Sequence, residues 1–333
     1  MVVGVVGATG VLVVALMIGL LSARLVGAGT RWLDVVLTMV VGMLVAAIVW
    51  GTGLTGIPAP FAATVIAMGG LFGVVVTIHQ RVTGAGRIAT ALFAAVLTAV
   101  VFAPLVTIVF ALWYDPFATG IGYLDLGAAL PVEVAAGAAV FAVTLVDRHL
   151  VPPPVAASAS RWSLLWPVLL ALAGWLVWLS GLELAVDSLT PVILVNTIIM
   201  PAAAVLGWAV VERARHRSNT VRGMIYGALA GLAAATPAAG YLIPGLAVLT
   251  GLCVGAVSGL LPRRDGATTV GGILLIGGGV SLVLLGVLAK DVSFIYTGQP
   301  EVIFGQVLTV AVGLVGGFVL GAAAWAGLRL VRR

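Results

Sequence analysis

Charge is scarce in this chain. Of its 333 residues only 8% are Asp, Glu, Lys or Arg, against 62% hydrophobic, and the mean hydropathy is +1.26. A soluble domain carries roughly 25% charged residues to cover its surface, so a water-soluble fold is excluded. Cysteine occurs once, at Cys253, inside an apolar run. That excludes a disulfide framework and a thiolate metal site, and it reads as a small packed hydrophobe. Histidine occurs three times, at His79, His149 and His216, each between apolar runs rather than within one. There is no HExxH, no phosphate-binding glycine loop and no plausible Ser/His/Asp set, so an enzyme is disfavoured and neither a metal nor a cofactor is expected. The net charge of +5 and pI near 10.0 do not point to nucleic acid. The basic residues sit between apolar runs, where membrane topology places them.

What the sequence does have is long continuous apolar runs. They reach the roughly 20 residues that cross a hydrocarbon layer as a helix. An open sheet would leave unpaired backbone in lipid, so the expected fold is an all-α polytopic membrane protein. Spans are expected at about 2–22, 33–54, 60–78, 88–112, 125–146, 162–182, 190–211, 222–236, 240–261, 268–289 and 303–328, eleven in all. The first begins at Val2 without a basic leader, so it is expected to be a span rather than a cleaved signal peptide. Arg24, Arg31, Arg81, Arg87, Arg148, Arg161, Arg213, Arg215, Arg217, Arg222, Arg263, Arg264, Arg329, Arg332 and Arg333 all fall on one side if the count is eleven. The other side has no Arg, only Lys290 beside Asp291 and Glu301. The Arg-bearing side is therefore expected to be cytoplasmic, in a cell (inner) membrane, with the N-terminus outside and the C-terminus inside.

The stretch 151–160, with three consecutive prolines, divides five spans from six. An odd number before the boundary inverts the second half relative to the first, the arithmetic of a five-plus-five inverted repeat with one helix added. The halves would be 1–150 and 161–290, with the final helix in 303–333, all in one membrane domain; an ordinary connecting loop fits this stretch as well. Small-xxx-small pairs at Gly227/Gly231 and Gly317/Gly321 let helices approach closely.

Most acidic residues lie near span ends. Glu133 does not: eight residues after Asp125, it lies about 12 Å along the fifth span. An ionisable group at that depth is a functional candidate, or else a neutral carboxyl bonded to a neighbouring helix. Asp125 reads first as a helix N-cap and second as a vestibule residue. Trp113, Tyr114, Tyr123, Trp175 and Trp178 fit an interfacial aromatic belt, or a cation site formed by ring faces.

Two stretches then carry a resemblance. Asn196-Thr-Ile-Ile-Met-Pro-Ala-Ala-Ala-Val-Leu-Gly-Trp208 and Gly227-Ala-Leu-Ala-Gly-Leu-Ala-Ala-Ala-Thr-Pro-Ala-Ala-Gly240 resemble two helices of the ammonium transporter, methylammonium permease and Rhesus family. Gly174-Trp175-Leu-Val-Trp178 is similar to the family's GWFGF, and Trp113 and Asp125 keep its spacing. Gly305-Gln306 opens a final helix like the family's. The resemblance implies eleven spans, the inverted repeat, a homotrimer in membrane lipid, and passage of ammonium or a small amine. It also implies an outer vestibule at Trp113, Asp125, Trp178 and Leu182, and a pore at Glu133, Val270 and Trp175. The polar pore line departs from the family: Glu133 stands where helix five carries a histidine, and Val270 where helix ten carries the second, counted from Asp265 and Gly271. Leu182 replaces a vestibule serine, Trp178 a gating phenylalanine, and Ala135 an asparagine. The expected function is an ammonium transporter-like channel with a divergent pore. The alternatives are a non-conducting relative acting as sensor or assembly partner, and a channel for another small neutral solute.

Overall fold

The computed structural model describes residues 2–26, 31–114, 122–147, 160–261 and 266–331. Among them every regular element is helical: α1 (Val2–Val26), α2 (Trp32–Gly51), α3 (Ala62–Val76), α4 (87–114), α5 (Leu130–Val146), α6 (Arg161–Leu182), α7 (Thr190–His216), α8 (Val221–Ala238), α9 (Pro244–Gly259), α10 (Gly266–Leu288) and α11 (Glu301–Val331). A helix thus lies over each expected span. Eight helices are long and apolar enough to cross a membrane, while α5 and α9 are shorter apolar helices. Arg148, His149, the stretch 151–159, Arg263, Arg264, Asp265, Arg332 and Arg333 lie outside the described residues.

Local chemistry sets the helix ends. Ser160 caps α6 by accepting the Ser163 N–H at 3.2 Å, and Thr220 caps α8 by accepting that of Gly223 at 2.9 Å. Pro191 and Pro244 occupy the first turns of α7 and α9, where a missing N–H leaves no bond unmade. α4 carries a π turn at Thr98–Phe102, just before Pro104, whose ring cannot continue the regular ladder.

α1 runs against α6, α2 and α1 against α3, and α7 against both α8 and α9. α10 lies between α8 and α5, and α11 covers α5 and α10. The α1–α6 crossing is backbone on backbone: a Cβ on Gly10 would fall 2.5 Å from Gly174 O. The two small-xxx-small pairs serve packing within the chain, Gly227 and Gly231 against Val205 and Pro201 of α7, and Gly317 and Gly321 against Ala135 and Ala139 of α5.

One connection differs from expectation. After α3 a short helix, Ile78–Val82, turns back into the bundle and buries His79, Gln80 and Arg81. Arg81 donates to Thr77 Oγ1 at 2.5 Å and to Val74 O at 2.8 Å. His79 Nε2 lies 3.4 Å from Asp147 Oδ2. Asp147 also accepts from Trp325 Nε1 at 2.8 Å and Arg329 Nη1 at 2.5 Å, joining this end of α5 to α11.

Candidate functional site

α5 begins with a carboxylate. Asp125 accepts the backbone N–H groups of Ala129 (2.8 Å) and Leu130 (3.0 Å), and the Tyr123 hydroxyl (2.9 Å). Ala128 takes the left-handed conformation, φ +59°, between the cap and the helix. For a residue with a Cβ that costs about 1–2 kcal/mol, which the cap bonds help to offset. The segment entering α5 is fixed on both sides, by Leu126 N–H on Pro237 O (3.2 Å) and by Gln306 Nε2 on Leu124 O (2.8 Å).

One turn farther on, the first turns of α5 form a π turn, Leu130–Ala135, which carries Glu133. Its side chain is 2% exposed. Glu133 Oε1 stands 2.6 Å from Thr236 Oγ1 of α8, and Trp175 Nε1 of α6 donates to the same hydroxyl at 2.8 Å. Thr236 Oγ1 also reaches Leu232 O, at 3.2 Å. Trp175 and Trp178 follow at ring centroids 5.7 Å apart, both fully buried. A buried line therefore joins α5, α8 and α6 through Glu133, Thr236, Trp175 and Trp178. Each end of it carries an unpaired atom: among the described residues neither Glu133 Oε2 nor Trp178 Nε1 has a hydrogen-bond partner.

This arrangement tolerates a proton. With Glu133 ionised, the Thr236 hydroxyl donates to it and accepts from Trp175. With Glu133 protonated on Oε1, the carboxyl donates to Thr236, whose own hydrogen turns to Leu232 O. A hydroxyl has one donor and two acceptor positions, so the bonds that Thr236 makes to Glu133 Oε1, Trp175 Nε1 and Leu232 O can be kept in both states.

The residues expected at the site do not all meet there. Glu133, Trp175 and Trp178 do, and Asp125 anchors the helix that carries Glu133. Leu182 ends α6 one turn beyond Trp178 and is buried. Trp113 lies in the last turn of α4, and its side chain lies outside the described residues. Val270 is not opposite Glu133. The next residue, Gly271, packs against Val140, seven residues along α5 from Glu133, or about 10 Å. The α10 residue facing Glu133 is Gly278. α10 has glycines at 271–272 and again at 277–279, two turns apart. Counting from Asp265 selects the first set, whereas in the fold Gly278 of the second set lies against Glu133.

Thr236 and Gly278 are the residues that sequence reasoning missed. Thr236 is the polar residue in Leu232-Ala-Ala-Ala-Thr-Pro237, a run otherwise without side-chain hydrogen-bonding groups, and that contrast is its signal. Gly278 has no such signal among its neighbours.

A family model described as Ammonium Transporter Family matches residues 76–332. An ammonium transporter of Aquifex aeolicus is 29% identical over 234 residues, covering 66% of this chain and 53% of that protein. The chain spans between a quarter and about half the length of the curated relatives it matches. Among solved structures, Mep2 of Saccharomyces cerevisiae matches with a TM-score of 0.80 at 19% identity, over 97% of this chain and 86% of that one. A structure titled Sensor Amt Protein matches with a TM-score of 0.76 at 17% identity, over 98% and 94%. At these identities the likeness to the solved structures is one of fold.

Proposed function

The chain belongs to the ammonium transporter family, a family of multi-pass membrane transporters rather than enzymes, and we propose that it passes ammonium, ammonia or a related small amine through a divergent path centred on Glu133. The observation that carries this reading is the buried line Glu133–Thr236–Trp175, which holds an ionisable group among membrane helices and accepts it in either protonation state. An ionisable residue so placed marks a substrate or proton pathway by default. In this reading Trp113 and Asp125 form the outer approach with Trp178 and Leu182. Glu133 is the protonatable pore group, Trp175 and Thr236 orient it, and Val270 lies farther along the α5–α10 seam.

The same reading places the chain in an inner membrane as a homotrimer of eleven-span subunits, N-terminus outside and Arg-bearing ends inside. Helix pairing supports a five-plus-five repeat. α2–α3 in one half is matched by α7–α8 in the other, α1–α3 by α6–α8, α2–α4 by α7–α9 and α3–α5 by α8–α10.

Uptake of labelled methylammonium into proteoliposomes at mildly acidic pH tests the proposal. Saturable uptake, competed by ammonium and reduced in Glu133→Ala, is the expected result. No uptake above empty liposomes, from protein shown to be folded, overturns it. One observation favours a second reading, a non-conducting sensor: Glu133 fills the space over Gly278, and both tryptophan rings close the buried line without exposure. Saturable flux removes that reading.

A further inference from the structure

At the Arg-bearing end of the bundle, the starts of α2 and α4 and the end of α11 enclose a groove of about 790 Å³. Arg31, Arg87, Ile88, Leu92 and Leu328 line it. We propose that this groove binds one anionic phospholipid, its phosphodiester on Arg31 and Arg87 and an acyl chain along α4.

The headgroup end is held in place before any lipid arrives. Asp34, itself buried, accepts a hydrogen bond from Arg87 Nε at 2.7 Å and forms an ion pair with Arg31, whose Nε lies 2.6 Å away. One carboxylate thereby fixes two guanidinium groups side by side. A guanidinium carries five N–H donors, so each arginine keeps its terminal nitrogens for another acceptor. Both side chains remain open to the surroundings, 36% and 58% exposed. Arg81, buried beneath, is a third guanidinium within electrostatic reach of the same carboxylate, so the mouth is net positive and suits the negative charge of a phosphodiester. Planar forked donors suit phosphate oxygens in particular.

The tail end is apolar and continuous with the groove. Ile88, Leu92 and Val96 are exposed and recur every four residues, so they form one line along α4. The line runs about 12 Å from the arginines toward the hydrocarbon layer. A soluble phosphate compound makes no use of this line. A zwitterionic lipid brings a second cation to an already positive mouth. The charge and the apolar line together select an anionic lipid. The proposal is independent of whether the Glu133 path conducts.

Thermal unfolding of the purified full chain in detergent, followed by tryptophan fluorescence, tests it. Dioleoyl phosphatidylglycerol is expected to raise the midpoint saturably, because a ligand bound only by the folded state stabilises it. Dioleoyl phosphatidylcholine and glycerol 3-phosphate at equal concentration are expected not to. Arg87→Gln should require about five-fold more phosphatidylglycerol for the same shift. Ile88→Asn, which puts a polar group at the head of the apolar line without adding a charge beside the arginines, should weaken the phosphatidylglycerol response while leaving the ion pairs in place. Equal shifts with the two lipids overturn the proposal, as does an equal shift with glycerol 3-phosphate, which assigns the site to soluble phosphates. A wild-type response in both variants overturns it too. So does a concentration-dependent dimer that Ile88→Asn abolishes, which assigns the groove to a second copy of the chain.

Discussion

Glu133 is seated directly over Gly278: a Cβ built on that glycine would stand 2.5 Å from Glu133 Oε2 and 3.1 Å from Glu133 Cβ. The carboxyl of α5 keeps its position because α10 has no side chain opposite it.

Gly278→Ala therefore forces either Glu133 or α10 to move. Overpacking of this kind costs about 1–3 kcal/mol, and the unfolding midpoint in detergent is expected to fall accordingly. Any flux that depends on Glu133 falls with it. Gly279→Ala is the control, since the nearest atoms to a Cβ there are 3.8 Å away. Equal effects of the two substitutions would show that the seat of Glu133 is not what Gly278 provides.

Thr236→Val keeps the shape of the side chain and removes its hydroxyl. Trp175 Nε1 and Glu133 Oε1 then lose the partner they share. Each buried polar group left unmade costs about 1–3 kcal/mol. Thr236→Ser, which restores the hydroxyl, is expected to recover most of the stability and the methylammonium uptake. Thermal unfolding and uptake on the same preparations check this. A valine variant as stable as wild type would remove Thr236 from the site.

Asp125→Ala takes the acceptor from two backbone N–H groups and from Tyr123. The expected loss is about 1–2 kcal/mol, typical of a removed N-cap, and Asp125→Asn should lose less. The loss should appear as fraying at the start of α5, read by faster amide exchange at Ala129 and Leu130 than at residues of the α7 interior.

Asp147 gives the protein a pH-dependent brace. Burial acts to raise its carboxyl, but the His79 imidazole 3.4 Å away, the hydrogen bond from Trp325 and the charge of Arg329 outweigh it, so it sits below the ordinary aspartate range. A depressed carboxylate stabilises the fold at any pH above its unfolded value of about 4, and that contribution is lost as pH falls through the folded value. The stability difference between wild type and Asp147→Asn should thus be constant from neutral to weakly acidic pH and shrink below about pH 4. A difference that grows with acid would reverse the assignment.

Much of this molecule is legible in its residues, and the remainder fails for identifiable reasons. Apolar run length places the helices, because crossing a hydrocarbon layer demands a fixed number of residues. Glu133 announces itself by its depth, and Trp175 and Trp178 by their motif. Which residue stands across from Glu133 is different in kind. It depends on how far α10 slides along α5, and a helix with two glycine sets offers two slides with equal spacing logic. Thr236 meets Glu133 across 103 residues of chain, a pairing no local pattern encodes. Arg81 and His79 look like residues of a solvated connection. They are buried because the chain coils into Ile78–Val82 instead of leaving the bundle, and Thr77 and Asp147 supply their partners.

The tie between Asp147 and α11 also imposes an order of events on assembly. Trp325 lies 178 residues after Asp147 and Arg329 lies 182 after it. At about 5–20 residues per second of synthesis, Asp147 is made roughly 10–40 s before the partners that satisfy it. During that interval the end of α5 has His79, already made, beside its carboxyl, but neither of the two partners that α11 brings. α11 therefore acts as a latch: α5 is already held at its start by α8 and α10, but its Asp147 end is tied down only when the last helix swings in. A chain cut short within α11 should therefore keep its first ten helices yet lack the two bonds that Trp325 and Arg329 give Asp147.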